Sequence, residues 1–277
     1  DEGRAMTRRH ARFSGLAGLA LAMVSVPTDA LQDAPTPGED AGIAQIFAQH
    51  DLNGTIVIAS TSSNQRFIHN DPRATREFSP ASTFKILNTL IALEEGVANN
   101  KDEMFIWDGA QHSIEAWNRN HSLRSAFRVS CVWCYQSLAT QIGVEHYKNY
   151  VTLSEYGNLV SSFKVTEFWL DGSLSISAVE QVDFMTRVVN RELPFTGPTY
   201  DALHSMMLME TTASHNLHLK TGWTGSQSSP PVGWIVGYVQ TRDDSWVFAL
   251  NVDVEKVSKM SLLPGVIKDI FRKKGIV

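Results

Sequence analysis

Strand-like runs stand near both ends of this 277-residue chain, and helical patterning fills the stretch between them. Gly54–Ser60 (GTIVIAS) and residues 65–70 (QRFIHN) read as strands joined through Thr61-Ser62-Ser63-Asn64, a hairpin signature. Strand character then disappears until residues 216–220, 232–240 and 245–252, the last two linked by the turn Thr241-Arg242-Asp243-Asp244. A short amphipathic helix at 43–50 precedes the first strand, and a helix at 264–273 closes the chain. Strands that are far apart in sequence yet need partners imply one antiparallel sheet completed from both ends. The expected fold is therefore α/β (α+β): a sheet flanked by terminal helices, with an inserted all-helical lobe. The sheet lobe takes residues 43–79 and 192–277, and the helical lobe 80–191. The cleft where the lobes meet is where a small molecule would bind.

Composition narrows the function. Hydrophobic residues make up 43% of the chain and charged residues 19%, so a packed core is affordable. Net charge is −5, from 24 basic and 29 acidic residues with no Lys/Arg stripe, which argues against nucleic acid as a partner. Two cysteines make neither a disulfide framework nor a four-thiolate zinc site, and no metal is expected. Arg8, Arg9 and Arg12 precede the apolar run 16–26, and Thr28-Asp29-Ala30 offers a small-residue cleavage site. Residues 1–30 are therefore read as a signal peptide with upstream residues, and 31–42 (LQDAPTPGEDAG) as a linker. A periplasmic or secreted protein is expected, without stable membrane association after cleavage.

Chemistry concentrates at Ser79-Pro80-Ala81-Ser82-Thr83-Phe84-Lys85. Ser79 suits an N-cap, Pro80 the first helical position, and Gly96 the helix end. Ser82 then falls in the first turn, where unpaired N–H groups favour developing negative charge. Lys85 follows three residues later, so the two side chains meet on one face. A serine hydroxyl needs a base to become a nucleophile. A lysine of ordinary pKa is neutral in only about one molecule in 2500 at pH 7, so burial beside Phe84, Ile86 and Leu87 must lower its pKa.

That pair alone also arises on ordinary helices, but two further motifs follow in order. Ser130-Cys131-Val132 opens the helical run 132–142, and Lys220-Thr221-Gly222 ends the strand at 216–220. Glycine there permits close backbone approach to a ligand. Ser-x-x-Lys, a second serine motif and Lys-Thr-Gly together mark serine β-lactamases and penicillin-binding proteins. From Gly54 onward the chain resembles the class D β-lactamases, the oxacillinases, most specifically at Pro80–Lys85 (PASTFK), Ser130-Cys131-Val132 and Lys220-Thr221-Gly222-Trp223. Supporting matches are residues 105–109 (FIWDG), 116–119 (AWNR), 156–158 (YGN), 168–172 (FWLDG) and 175–178 (SISA).

The resemblance implies roles. Ser82 would be the nucleophile acylated by a β-lactam antibiotic. Lys85 would be modified by CO₂ or bicarbonate to a carbamate that serves as general base; no other cofactor is implied. Trp169 would donate its indole N–H to that group, and Val132 would cover it. Ser130 and Lys220 would relay a proton to the leaving nitrogen. The backbone N–H groups of Ser82 and Trp223 would form the oxyanion hole. Thr221 would contact the substrate carboxylate beside Gly222, and Tyr156 and Asn158 would shape the substrate-binding site. Val132 stands where class A enzymes carry asparagine, and Glu167 is read as solvated rather than as their catalytic glutamate.

One departure is visible. Leu263 occupies the place of an arginine that binds the substrate carboxylate in the family, leaving Thr221 with Thr224 or Ser226 for that task. The remaining candidates have plainer readings. Cys131 and Cys134 are packed thiols or an incidental disulfide, with a redox pair as the alternative. His215 and His218 fall on opposite strand faces, and Trp107, Trp117, Trp234 and Trp246 are core or cleft-wall residues. The alternative function is a β-lactam sensor or penicillin-binding domain that acylates without turnover. Oligomeric state and substrate spectrum are not encoded in any motif.

Overall fold

The computed structural model describes residues 40–277; the expected signal peptide and nearly all of the linker lie outside the described residues. Helix α1 (Ala41–Gln49) is capped by the Asp40 carboxylate, which accepts from the N–H groups of Gly42 and Ile43. Strands β1 (Gly54–Ser60) and β2 (Arg66–His69) form the expected hairpin. Helix α2 (Asp71–Ala74) leads to a 3₁₀ turn, Ala81–Phe84, which runs into α3 (Lys85–Glu94). The ribbon β3 (Met104–Phe105) with β4 (His121–Ser122) precedes α4 (Leu123–Arg128), α5 (Val132–Ile142) and α6 (Val144–Leu153). A second ribbon, β5 (Asn158–Leu159) with β6 (Leu174–Ser175), leads to α7 (Ala178–Val189) and α8 (Gly197–Met207). Strands β7 (Leu208–Thr211), β8 (His215–Trp223), β9 (Val232–Thr241) and β10 (Ser245–Asp253) follow, and α9 (Leu263–Lys273) ends the fold.

Six strands form one antiparallel sheet in the order β2-β1-β10-β9-β8-β7. The first strand pairs with the last, Val57 opposite Ala249, so the sheet is completed from both ends of the chain. Alternation along each strand separates two cores. Val57, Trp234, Val236, Val247 and Ala249 face the helical layer, whereas Ile56, Ile58, Ile235, Phe248 and Leu250 face α1 and α9. Both faces are covered, which is why β9 reads as a nearly continuous apolar run.

Several elements escaped the sequence reading, α8 and β7 outside the helical stretch among them. Helix α8 starts at Thr196-Gly197-Pro198 and places Tyr200, Leu203, Met206 and Met207 in the helical-side core, packed on α3 and α4. Residues 197–207 therefore pack with the helical layer although they follow it in sequence. Strand β7 is short and its pairing slips between Leu208 and Glu210, so it carries no clean alternation. The helical lobe also holds the two small ribbons, and α7 lies across β1, β9 and β10. Among the described residues no helix is long and apolar enough to cross a membrane.

Ile270 on α9 is fully buried against the sheet face remote from the helical lobe. Truncation by Ile270→Ala is expected to cost roughly 2–5 kcal/mol through lost burial and a residual cavity. Urea unfolding should show a lower midpoint at an unchanged slope; an unaltered midpoint would mean that α9 contributes little to the core.

Candidate active site

The turn carrying Ser82 is built differently from the simple helix start that its sequence suggested. Ser79 does not cap a helix: its hydroxyl donates to the Trp169 carbonyl (3.0 Å), and its own carbonyl accepts from the Trp234 indole (3.0 Å). The Pro80 carbonyl takes both the backbone N–H of Thr83 (3.1 Å) and its hydroxyl (2.7 Å). These bonds wind Ala81–Phe84 into a 3₁₀ turn, and the α-helix begins only at Lys85. Ala81 sits at φ +47°, an unfavourable region for a residue with a Cβ and the sort of local strain that surrounding structure must hold.

Strand β8 fixes the other side of this turn. A Cβ on Gly222 would lie 3.0 Å from the Pro80 carbonyl oxygen and 3.1 Å from the Thr83 nitrogen. The glycine of Lys-Thr-Gly thus admits the nucleophile's own turn, a backbone approach within the protein rather than one to a ligand alone.

Lys85 is fully buried, and its ammonium-bearing end lies 3.2 Å from Ser82 Oγ and 4.8 Å from the centre of the Tyr135 ring. Burial, with the charge of Lys220 adding to it, holds the Lys85 pKa well below the ordinary lysine range. Burial thus shifts Lys85 toward its neutral amine, beside the Ser82 hydroxyl. Trp169 is also fully buried, stacked on Phe84, and its indole N–H has no hydrogen-bond partner. An unpaired donor in so dry a place is costly, so a polar acceptor belongs there.

Ser130 and Lys220 form a second polar pair. Lys220 Nζ donates to Ser130 Oγ (2.6 Å) and to the Thr221 carbonyl (2.8 Å). Its pKa is pushed down to about 7 by burial. Ser130 adopts φ +56° between α4 and α5.

Ser82, Ser130, Val132, Thr221, Gly222 and Trp223 line one cavity of about 580 Å³, while Lys85, Trp169 and Lys220 are buried. Tyr156 and Asn158 do not line it. Tyr156 is buried edge-on to Phe84 and Phe184, and Asn158 is exposed and donates to Glu77. What the Tyr-Gly-Asn stretch supplies is Gly157, at φ +63°, where a Cβ would collide with the Ser175 carbonyl at 2.0 Å. The cavity is completed by Ile114, Trp117, Leu170, Val257 and Met260. Among these, Ile114, Leu170, Val257 and Met260 escaped the sequence reading, because loops and short 3₁₀ turns carry no periodic signal.

Glu167 is half-exposed and ion-paired with Lys164. His215 contacts Thr212, Ser214 and Glu210, whereas His218 bonds the His204 carbonyl and stacks on Tyr238. Trp117 is a cavity wall, Trp234 is core, Trp246 packs on Phe67, and Trp107 is half-exposed with its N–H on the Ala110 carbonyl.

The penicillin-binding protein transpeptidase domain family matches residues 20–271. The chain is 35% identical over 231 residues to β-lactamase OXA-48 of Klebsiella pneumoniae, covering 83% of this chain and 87% of that protein. It is 34% identical over 233 residues to β-lactamase OXA-10 of Pseudomonas aeruginosa, covering 83% and 88%. Among solved structures, the class D β-lactamase FUS-1 (OXA-85) of Fusobacterium nucleatum superposes with a TM-score of 0.83 at 33% identity, covering 86% of this chain and 99% of that one. A class D β-lactamase from Nostoc gives 0.81 at 36% identity, covering 84% and 98%. The chain belongs to the class D β-lactamases.

Two further features mark this β-lactamase's site. Leu263 is buried in the core around α9, so no cation stands at that position. Thr221, Thr224 and Ser226 all line the cavity, but the Thr224 hydroxyl is already engaged by Ser228 (2.6 Å) and by the backbone N–H of Val232 (2.8 Å). Cys131 and Cys134 form a disulfide within the second motif, and both residues are fully buried.

The lowered pKa of Lys220 has a consequence for stability. Between about 7 and the unfolded lysine value, the unfolded chain holds a proton that the folded chain has released, so stability rises with pH. From pH 7 to 9 this adds on the order of 2 kcal/mol for one such lysine. Unfolding of the enzyme and of Lys220→Met at both pH values should show a gain larger by about that amount in the parent, Lys85 contributing to both; equal gains would place the Lys220 pKa in the ordinary range.

Proposed function

We propose that this enzyme opens the ring of penicillin-type β-lactams through a Ser82 acyl-enzyme, with Lys85 carboxylated on its amine. The observation that supports this reading is the dry pocket in which the depressed Lys85 amine stands 3.2 Å from Ser82 Oγ, together with a buried Trp169 indole N–H that lacks an acceptor. Only a neutral amine adds CO₂, with loss of one proton, and burial shifts Lys85 toward that form. Trp169 and Val132 would hold and cover the carbamate, which when formed supplies a general base beside the nucleophile.

The protein's own groups account for the remaining chemistry. Ser82 Oγ attacks the lactam carbonyl and yields its proton toward Lys85. The N–H groups of Ser82 and Trp223 receive the developing oxyanion, an interaction worth about 10²–10³ in rate per donor. Ser130 Oγ gives a proton to the departing nitrogen and is recharged by Lys220, 2.6 Å away. Thr221 and Ser226 receive the substrate carboxylate. Water then attacks the acyl-enzyme and frees Ser82. This reading places the enzyme in the periplasm or outside the cell, where its substrates arrive, and makes antibiotic resistance its consequence.

With a chromogenic penicillin, turnover is expected to be sustained, to rise with added bicarbonate, and to fall by at least about a thousandfold in Ser82→Ala. One stoichiometric burst without further turnover, at saturating bicarbonate, would instead identify an acylated sensor or penicillin-binding domain.

A further inference from the structure

We propose that the Cys131–Cys134 disulfide is a positioning element of the catalytic site, setting the proton-relay serine rather than stabilising the fold at large. The inference rests on Ser130 and Lys220 acting as the relay.

Ser130 occupies an awkward place. The N–H of Cys131 reaches back to the Ala126 carbonyl (2.9 Å) and that of Ser130 to Phe127 (3.3 Å), so Ser130 ends α4 in the left-handed position that usually holds glycine. A hydroxyl is needed there, and φ +56° must be enforced by the neighbours. Upstream, enforcement is one short and one long backbone hydrogen bond. Downstream, the next residue is Cys131, the N-cap of α5, where Ser, Thr, Asp or Asn ordinarily holds the helix start by a hydrogen bond. Here Cys131 Sγ accepts the capping hydrogen bond from the Cys134 N–H (3.3 Å) and is in addition covalently joined to Cys134, one turn into the helix.

The cross-link spans residues that build the cavity. Ser130 on one side and Val132 inside the bridge line it. Trp133, also inside the bridge, donates its indole N–H to the carbonyl of Trp117 (3.0 Å), another lining residue. Loop-closure stabilisation grows with loop length, and a separation of three residues stands at the short end. The effect of the bond is thus local, on the 2.6 Å contact between Ser130 and Lys220.

The test compares the enzyme with C131S/C134A, which keeps a hydroxyl at the α5 N-cap and removes the covalent bond, with S130A, and with the triple combination. Single-turnover acylation by a chromogenic penicillin is followed against pH, and melting temperature is measured alongside. The expected result is acylation about tenfold slower or more in C131S/C134A, with a shifted limb for Lys220 in its pH profile and a melting temperature within a few degrees of the parent. The triple variant should be no slower than S130A, because both changes act through one group. Unchanged acylation in C131S/C134A, or losses that multiply in the triple variant, would overturn the proposal. S130A acylating at the parental rate would overturn the relay itself, and the proposal with it. Should C131S/C134A fail to fold, the parental enzyme produced in a reducing cytoplasm as the dithiol, verified by alkylation and mass, replaces it: slower acylation than the disulfide form supports the assignment, and equal rates overturn it.

Discussion

The structure turns on a lysine buried away from water beside a serine hydroxyl. Lys85 has no exposed surface and lies among Phe84, Tyr135 and Ser82. Taking an ammonium group out of water costs several kcal/mol, so burial shifts the group toward its neutral amine. A neutral amine next to a serine hydroxyl is a base, and it is also the one form of lysine that reacts with CO₂. Trp169, stacked on Phe84 in the same core, is left with its indole N–H unpaired. The burial that is costly for stability is thus what makes Lys85 reactive.

The other motifs are arranged around that core by the sheet. The β1–β10 pairing completes the sheet, its strands β8 and β9 pack on the 3₁₀ turn that carries Ser82, and Gly222 lets β8 approach that turn closely. That contact carries Lys220 to Ser130 and aligns Thr221 and Trp223 with the cavity. Three segments separated by 48 and 90 residues thereby serve one pocket.

Much of this was legible in the sequence because it depends on local patterns. Alternating and continuous apolar runs marked β1, β9 and β10, Gly96 marked the end of α3, and the three motifs picked out Ser82, Lys85, Ser130 and Lys220, which the fold brings together in pairs. What stayed hidden depends on tertiary partners. Ser79 looks like a cap until Trp169 and Trp234 claim both its polar groups. Tyr156 and Asn158 look like site residues because they flank Gly157, the position with the steric requirement. The apolar walls at Ile114, Val257 and Met260 come from loops and a 3₁₀ turn, where neither spacing nor residue type sets them apart.

The account stands on the chemical state of Lys85. Carbon-13 NMR of the enzyme in ¹³C-bicarbonate at neutral to mildly alkaline pH tests it most directly. A slowly exchanging carbamate resonance is expected in the parent and in Ser82→Ala, absent in Lys85→Ala, and diminished in Trp169→Phe. An enzyme that turns over β-lactam in the same tube while showing no such resonance would contradict the account and leave the free amine as the base.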